Sequence, residues 1–204
     1  MVLAAAMCLG RMDEIFAQDK EADSAPPTNL EVVRMLSERV GMTVGRMISG
    51  GDSTDVKLSV YPRDLAWYAD LGLTRGLARQ GCRVTMFDSA QHSAEFVLLR
   101  IDVEYSNIRR NGFLGTKVVT RKISESLASK LIDRKTGSIV SAQDFKEVAE
   151  DTIAVSEVES VESPNLPLLR GNLPAEGFFS NLAEPLILLG SVAVAIFLLF
   201  KVRS

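Results

Sequence analysis

The first regular pattern along the chain is helical. Between residues 30 and 48, apolar side chains recur three and four positions apart, as on one stripe of an amphipathic helix: Leu30, Val33, Leu36, Val40, Val44 and Met47. Asn29 precedes the stripe and is the predicted N-cap, whereas Gly41 and Gly45 weaken the helix. A second amphipathic helix is predicted from Asp64 to Gln80, with Gly81 just beyond its end.

Alternation of apolar and polar residues predicts strands around and after these helices. Two are short, over 56–60 before Pro62 and over 84–87. Two are long, and their predicted inward residues are Val97, Leu99, Ile101, Val103 and Tyr105 in one and Val119, Ile123, Leu127 and Leu131 in the other. A further antiparallel strand is expected from residue 139 onward, after the two long strands. Turns are expected over 107–116 and at Asp133–Gly137, where Gly137 suits a positive φ.

The order of these elements predicts the fold class. Helix, strand, helix, strand and then long antiparallel strands indicate an α+β domain with a mixed, mostly antiparallel sheet and two helices on one face. The acidic stretch 146–164 is interpreted as a solvated edge with at most one further edge strand, as Ile153 and Val155 suggest.

An uncharged run at the C-terminus predicts a transmembrane helix over 182–204. Sixteen residues from Pro185 to Phe200 carry no charge, between Glu184 and the basic Lys201 and Arg203. At about 1.5 Å per residue they extend roughly 24 Å, somewhat less than the ~30 Å hydrocarbon layer. The residues assigned to the membrane anchor are Pro185, Leu186, Gly190, Phe197, Phe200, Lys201 and Arg203.

The N-terminus sets the expected location. Residues 1–18 contain a short apolar stretch without the preceding basic residues of a full secretory signal, which a start site placed too late would explain. With export, the domain (30–162) lies on the periplasmic side, after a polar linker (19–29), and the basic tail stays in the cytoplasm. The alternative is a tail-anchored protein with a cytoplasmic domain.

A candidate surface for partner proteins combines aromatic and apolar residues. The segment 163–181 before the anchor is rich in leucine and proline and too apolar for a free tether, so it is expected to pack on its own sheet, on another protein or on the membrane. With the aromatic cluster near residue 65, the predicted surface comprises Tyr61, Trp67, Tyr68, Leu168, Leu169, Phe178 and Phe179.

Signs of chemistry are sparse. His92 is the only histidine and is expected on a polar loop, and Cys82 is expected to be buried. The stretch 50–55 is interpreted as a turn, since the ligand spacing of a calcium loop is missing. No catalytic residue, cofactor or metal site is predicted. One wet sheet face is expected to hold charge pairs among Arg100, Asp102, Glu104, Arg121 and Glu125.

The dispersed charge, 23 basic against 26 acidic residues, disfavours nucleic acid as a partner.

Three stretches, DLAWYADLGLTRGLARQG, AEFVLLRIDVEY and ASKLIDRKTGSIVSAQDF, carry a family resemblance. On them, residues 55–145 resemble the small α/β domain of curli-secretion-type and flagellar-type envelope lipoproteins and of the N-terminal domain of the Tol-system translocation protein. The resemblance implies a non-catalytic envelope component. The chain departs from the lipoproteins because Met7 stands where a small residue should precede the lipid-carrying cysteine.

These patterns together predict a non-enzymatic, single-pass component of an envelope assembly, with other membrane or envelope proteins and the bilayer as partners. The alternative is a module that presents a small ligand, lipid or glycan to a membrane partner, and it requires an apolar pocket.

Overall fold

The computed structural model of the protein describes residues 25–48, 54–112, 115–175 and 178–202. The predicted signal segment, most of the linker, residues 50–53 of the predicted turn and Arg203 lie outside these ranges. The elements are α1 (Asn29–Ile48), β1 (Thr54–Tyr61), α2 (Ala66–Arg79), β2 (Cys82–Thr85), β3 (His92–Arg110), β4 (Lys117–Asp133), β5 (Ile139–Ala154), α3 (Val158–Val161) and α4 (Phe178–Val202).

The five strands form one sheet in the order β2-β1-β3-β4-β5. Strand β1 runs parallel to both β2 and β3, and β3, β4 and β5 are antiparallel neighbours. The prediction of a mixed, mostly antiparallel sheet is confirmed, because the two long antiparallel ladders contain most of the pairing. Helix α2 forms the crossover between the parallel strands β1 and β2, as such strands require.

Helices α1 and α2 cover the same face of the sheet. The stripe of α1 packs in one core with the inward side of α2 and with alternate residues of β1, β3 and β4, among them Leu36, Leu73, Val56, Phe96 and Leu127. The opposite side of the sheet, here called the open face, carries no helix within the described chain. A smaller cluster lies at the far end of the long strands, where Tyr105, Val119 and Ile153 meet α3.

Helices α1 and α2 approach each other through glycine. A Cβ atom built on Gly76 would lie 2.2 Å from the carbonyl oxygen of Glu38, and one on Gly41 would lie 2.5 Å from that of Leu73. Such distances are far inside van der Waals contact, so the two backbones can touch only without side chains at these positions. Gly41, which was predicted to weaken α1, therefore has a packing role as well.

A β-bulge in β3 corrects the predicted orientation of half the strand. The pairing with β4 shifts between Leu98 and Arg100, so that one extra residue is accommodated there. Before the bulge, Ala94, Phe96 and Leu98 point into the core, while Val97 and Leu99 are exposed. The prediction that Val97 and Leu99 point inward is wrong, whereas Ile101 and Tyr105, beyond the bulge, are buried as predicted.

The start of α1 also differs from its prediction. The Thr28 hydroxyl accepts a hydrogen bond from the Glu31 amide, and the Glu31 carboxylate accepts one from the Thr28 amide at 2.7 Å. This is a capping box with Thr28 as N-cap. Asn29 is therefore the first helical residue, and its buried side chain is directed into the interior.

Other boundaries shift by a few residues. Strand β2 ends at Thr85, so Met86 and Phe87 belong to the following loop and are strongly exposed. Strand β5 runs without interruption to Ala154, so the first half of the predicted acidic edge is part of one long edge strand. Gly81 and Gly137 have positive φ, which confirms the helix end and the hairpin turn predicted there.

The predicted apolar run at the C-terminus lies within α4, which has 25 residues. The side chains that the structure describes in this helix are those of residues 187, 189–199 and 201. Among the described residues, no helix meets the combined length and hydropathy needed to cross a membrane. The single-pass span stays a prediction.

Candidate interaction surface

The open face of the sheet is charged. A depression of about 370 Å³ on it is lined mainly by long polar side chains of three neighbouring strands, Arg100, Asp102, Glu104, Lys122 and Lys146. Arg100 and Asp102 form an ion pair there. The depression differs from the apolar pocket that a carrier of small ligands or lipids requires.

Two of the five charged residues predicted for a wet sheet face lie on the other side of the sheet. Arg121 and Glu125 alternate with Val119, Ile123 and Leu127, and each is only 1% exposed. Arg100, Asp102 and Glu104 do lie on the open face. The sequence could have predicted this, because residues two apart on a strand share a face. Arg121 and Glu125 lie two positions from the apolar, buried residues of β4.

Arg121 is the centre of a buried polar network at the far end of the sheet. Its guanidinium makes a two-pronged contact with the Asp151 carboxylate on β5. It also donates to the carbonyl oxygen of Pro27 at 2.8 Å and to Oδ1 of Asn29 at 2.9 Å. The Asn29 amide nitrogen donates in turn to the Leu169 carbonyl oxygen at 2.7 Å and to the Tyr105 hydroxyl. The network joins the chain before α1 to three strands and to the segment after α3.

Glu125 is a second buried ionisable residue, on β4 and facing α1. The Ser37 hydroxyl donates to its Oε1 at 2.7 Å, while its Oε2 is buried without a hydrogen-bond partner. Burial raises the pKa of Glu125 to about 7, against the opposing effect of the Ser37 hydrogen bond and with a smaller contribution from Glu147. The Glu125 carboxyl group is therefore partly protonated at neutral pH, which lowers the cost of its burial.

The predicted aromatic cluster is only partly a surface. The rings of Trp67 and Tyr68 stack at 4.0 Å between centroids. Tyr68 is buried in the core of the domain and is not available to a partner, which corrects its assignment. Trp67 and Tyr61 are each about two fifths exposed, and their role in partner binding stays a prediction.

The leucine and proline segment folds back on its own domain. Leu169 is completely buried in the main core, and Leu166 packs against that core, whereas Leu168 is exposed. Leu169 is therefore wrongly assigned to a partner surface. Further along, the Gly171 amide donates to the Glu162 carboxylate, and Gly171 lies against the Tyr105 ring. The folded domain thus continues to residue 171. The side chains of Phe178 and Phe179 are outside the description.

Six of the seven predicted anchor residues lie in α4, and the seventh, Arg203, is outside the described residues. Gly190 has open space around it, Phe197 is exposed, and the Lys201 ammonium lies 5.9 Å from the centre of the Phe197 ring. Pro185, Leu186 and Phe200 are helical in their backbone, and their side chains are not described. Between residues 189 and 199, every position is exposed.

His92 and Cys82 are the remaining residues that the sequence analysis considered for chemistry. His92 is half-buried at the first position of β3, which corrects its placement on a loop, and Cys82 is buried as predicted. Within the described ranges, no group of three or more histidine, cysteine, aspartate or glutamate side chains could hold a metal ion.

The edge of the sheet at β5 was not singled out by the sequence. Strand β5 has α1 on one face, and within the described residues its one neighbour in the sheet is β4. Phe145 and Ala149 of β5 point toward α1 and pack against the core, yet both are only half-buried. The alternation of Phe145, Glu147 and Ala149 could have indicated this face, but the acidic residues around it obscured the pattern.

Comparison with known proteins identifies no family. No family model matches the chain. No curated protein matches it in sequence. Among solved structures, the chain is similar to a neuraminyllactose-binding hemagglutinin homolog from Helicobacter pylori, with 15% identity over 52% of this chain and 68% of that chain and a TM-score of 0.32. It is also similar to a minor lipoprotein from Acinetobacter baumannii, with 12% identity over 50% and 66% and a TM-score of 0.30. Similarity at this level carries over neither fold nor function.

Proposed function

We propose that this protein is a non-catalytic component of a multiprotein envelope assembly, held at a membrane by α4 and binding other proteins through its α+β domain. The observation that carries the proposal is the exposure of α4. Eleven consecutive residues, 189–199, are exposed, and all of them are apolar or small. Because they cover three turns, apolar side chains face outward on every side of the helix.

A helix that is apolar all round is normally surrounded by lipid or by other protein. The uncharged run from Pro185 to Phe200 is bounded by Glu184 and Lys201, which is the charge distribution of a helix whose ends meet water. Lys201, near the Phe197 ring, can extend along the helix to the polar boundary. These features support a bilayer as the environment of α4.

The proposed orientation places the domain on the periplasmic side and Lys201 and Arg203 in the cytoplasm. It is supported by the basic tail and by the apolar N-terminal stretch. Protease added to intact spheroplasts then digests the domain, while a tag after Ser204 is digested only after permeabilisation. Protection of the domain in intact spheroplasts would show instead a tail-anchored protein with a cytoplasmic domain.

The class of function is tested by gentle purification. The full chain is purified in mild detergent, and the masses of the complexes that elute with it are measured by native mass spectrometry. A protein-binding component brings stoichiometric protein partners with it. A lone chain that carries a small molecule would overturn the proposal in favour of the ligand-presenting alternative.

A further inference from the structure

The outer edge of β5 has no neighbouring strand in the described chain, since β5 is the last strand of the sheet. It is 16 residues long and contains no proline. Its register with β4 is regular from Ser141 to Ala154, with one irregularity at the hairpin end. An edge of this kind presents a row of amide and carbonyl groups that another extended chain can pair with.

Helix α1 lines this side of β5 with a mixed row of methionine and polar side chains. Met35, Arg39, Thr43 and Met47 follow one another at intervals of four and so lie on one flank of α1. Two of them reach β5: the Arg39 guanidinium is 3.9 Å from the Glu147 carboxylate, and the Met47 sulfur is 3.8 Å from the Gln143 amide. Met35 and Met47 are nonetheless more than two fifths exposed.

Together, the β5 edge, the half-buried Phe145 and Ala149, and the two methionines form what we call the β5 groove. Phe145 and Ala149 already contact the core, and the Arg39–Glu147 ion pair lies between them on the same face. A chain lying in the groove would complete the burial of Phe145 and Ala149. Methionine side chains adapt readily to the shape of a bound segment.

The charge of the groove selects the occupant. On the open-face side of β5, Asp144 and Glu150 are exposed, with Lys146 between them. Asp151 is bound by Arg121 and Glu147 lies near Arg39, so Asp144 and Glu150 are the carboxylates most accessible to an incoming chain. A second copy of β5 would bring further carboxylates to this edge, whereas a basic segment complements it.

We propose that the β5 groove binds an extended, basic segment of another protein, which adds to the sheet as a sixth strand. Its alternate apolar residues contact Phe145, Ala149 and the methionines of α1, and its lysine or arginine residues face Asp144 and Glu150. The proposal rests on the proposed function only for the statement that the domain binds proteins. Membrane attachment through α4 is tested separately and does not depend on it.

The probe is a capped ten-residue peptide that alternates lysine with valine, and its control alternates glutamate with valine. Each is added to the full chain in mild detergent, and amide hydrogen exchange is followed by mass spectrometry. The basic peptide should slow exchange in 141–154 and leave the remaining described chain unchanged. The acidic peptide should leave exchange unchanged throughout the described chain, 141–154 included. Protection confined to another region, or none at about 1 mM basic peptide, would overturn the proposal.

Charge-reversal variants then test the edge itself. Asp144→Lys with Glu150→Lys should weaken binding of the basic peptide by about tenfold or more. The matched control, Asp64→Lys with Glu159→Lys, changes the net charge equally at exposed sites outside the groove and should leave the affinity unchanged.

Unchanged exchange in β3 and β4 without peptide shows that both variants are folded. If both double variants bound the basic peptide equally weakly, the effect would be due to net charge alone, and this would contradict the proposal. Concentration-dependent dimerisation of the unmodified chain that occupies 141–154 would identify a second copy as the occupant instead.

Discussion

At the scale of single residues, Arg121 makes the contacts whose loss should cost most. Replacing it by leucine keeps much of its volume but leaves the Pro27 carbonyl, Asn29 and Asp151 without their donor. Removing one partner of a buried charge pair typically costs about 3 kcal/mol or more, although Asp151 is partly exposed and can be hydrated. We expect Arg121→Leu to lower the free energy of unfolding by about 2–3 kcal/mol in urea titration.

Lys122→Leu is the matched control for this variant, because Lys122 is the next residue of β4 and lies on the open face. Its effect should stay within about 0.5 kcal/mol. Equal stability losses for the two variants would show that the network around Arg121 has no special weight in the fold.

Glu125 gives the domain a predicted pH dependence. The folded-state pKa of about 7 lies above the ordinary value of a glutamate, so the folded state binds the proton more tightly than the unfolded state. The stabilising effect of protonation is complete below about pH 4.5 and is lost as the pH rises through 7. Between pH 5 and 8, the free energy of unfolding should therefore fall by up to about 3 kcal/mol from this residue.

Glu125→Gln isolates the contribution of this carboxyl group. The amide cannot ionise and can still accept the hydrogen bond from Ser37. Urea titrations at pH 5 and pH 8 should show a smaller difference for this variant than for the unmodified chain, while Glu104→Gln on the open face keeps the full difference. An unchanged pH dependence in Glu125→Gln would contradict the assignment.

At the scale of elements, the contact between α1 and α2 depends on glycine. Alanine at Gly76 favours the helix by about 1 kcal/mol in isolation, yet its Cβ would lie 2.2 Å from a backbone carbonyl oxygen of α1. The backbones must then separate, and overpacking of this kind typically costs about 1–3 kcal/mol. We expect Gly76→Ala to be destabilising in thermal and urea unfolding, whereas Arg75→Ala, at the exposed neighbouring position, is nearly neutral. A stabilised Gly76→Ala would show that the helices are not held this closely.

How far the elements could be predicted depends on whether a local pattern was decisive. The stripe of α1 and the alternation of β4 were unambiguous, and both elements were placed within one or two residues. The bulge at Leu99 could not be recognised from the sequence. Val97 and Leu99 are apolar and lie two and four positions before the buried Ile101, so they were predicted on the same face as Ile101. Close packing of Gly41 and Gly76 was equally invisible, since it needs both helices in place.

The candidate surface was harder to predict than the fold for the same reason. A side chain such as Leu169 or Tyr68 is apolar whether it binds a partner or its own core, and only the three-dimensional structure separates the two cases. The β5 groove is formed by α1 and β5, which are about 100 residues apart in the chain, so no local sequence motif could predict it.

At the scale of the whole molecule, the folded domain of the described chain ends near residue 171, and the apolar helix α4 follows it in sequence. The contact of Gly171 with Tyr105 fixes where the chain leaves the domain, at the far end of the long strands. The β5 groove is formed by β5 and α1 and includes no residue of α4. Binding of a partner segment in the groove therefore does not require α4 to leave the lipid.

Anchoring by α4 is tested most directly by the partition of two chains between membrane and buffer. Membranes from cells that express the full chain, or a chain ending at Pro174, are washed with alkaline carbonate, and pellet and supernatant are compared. We expect the full chain to stay in the pellet and to be released only by detergent, and the shorter chain to be found folded in the buffer. Release of the full chain by carbonate alone would contradict anchoring by α4.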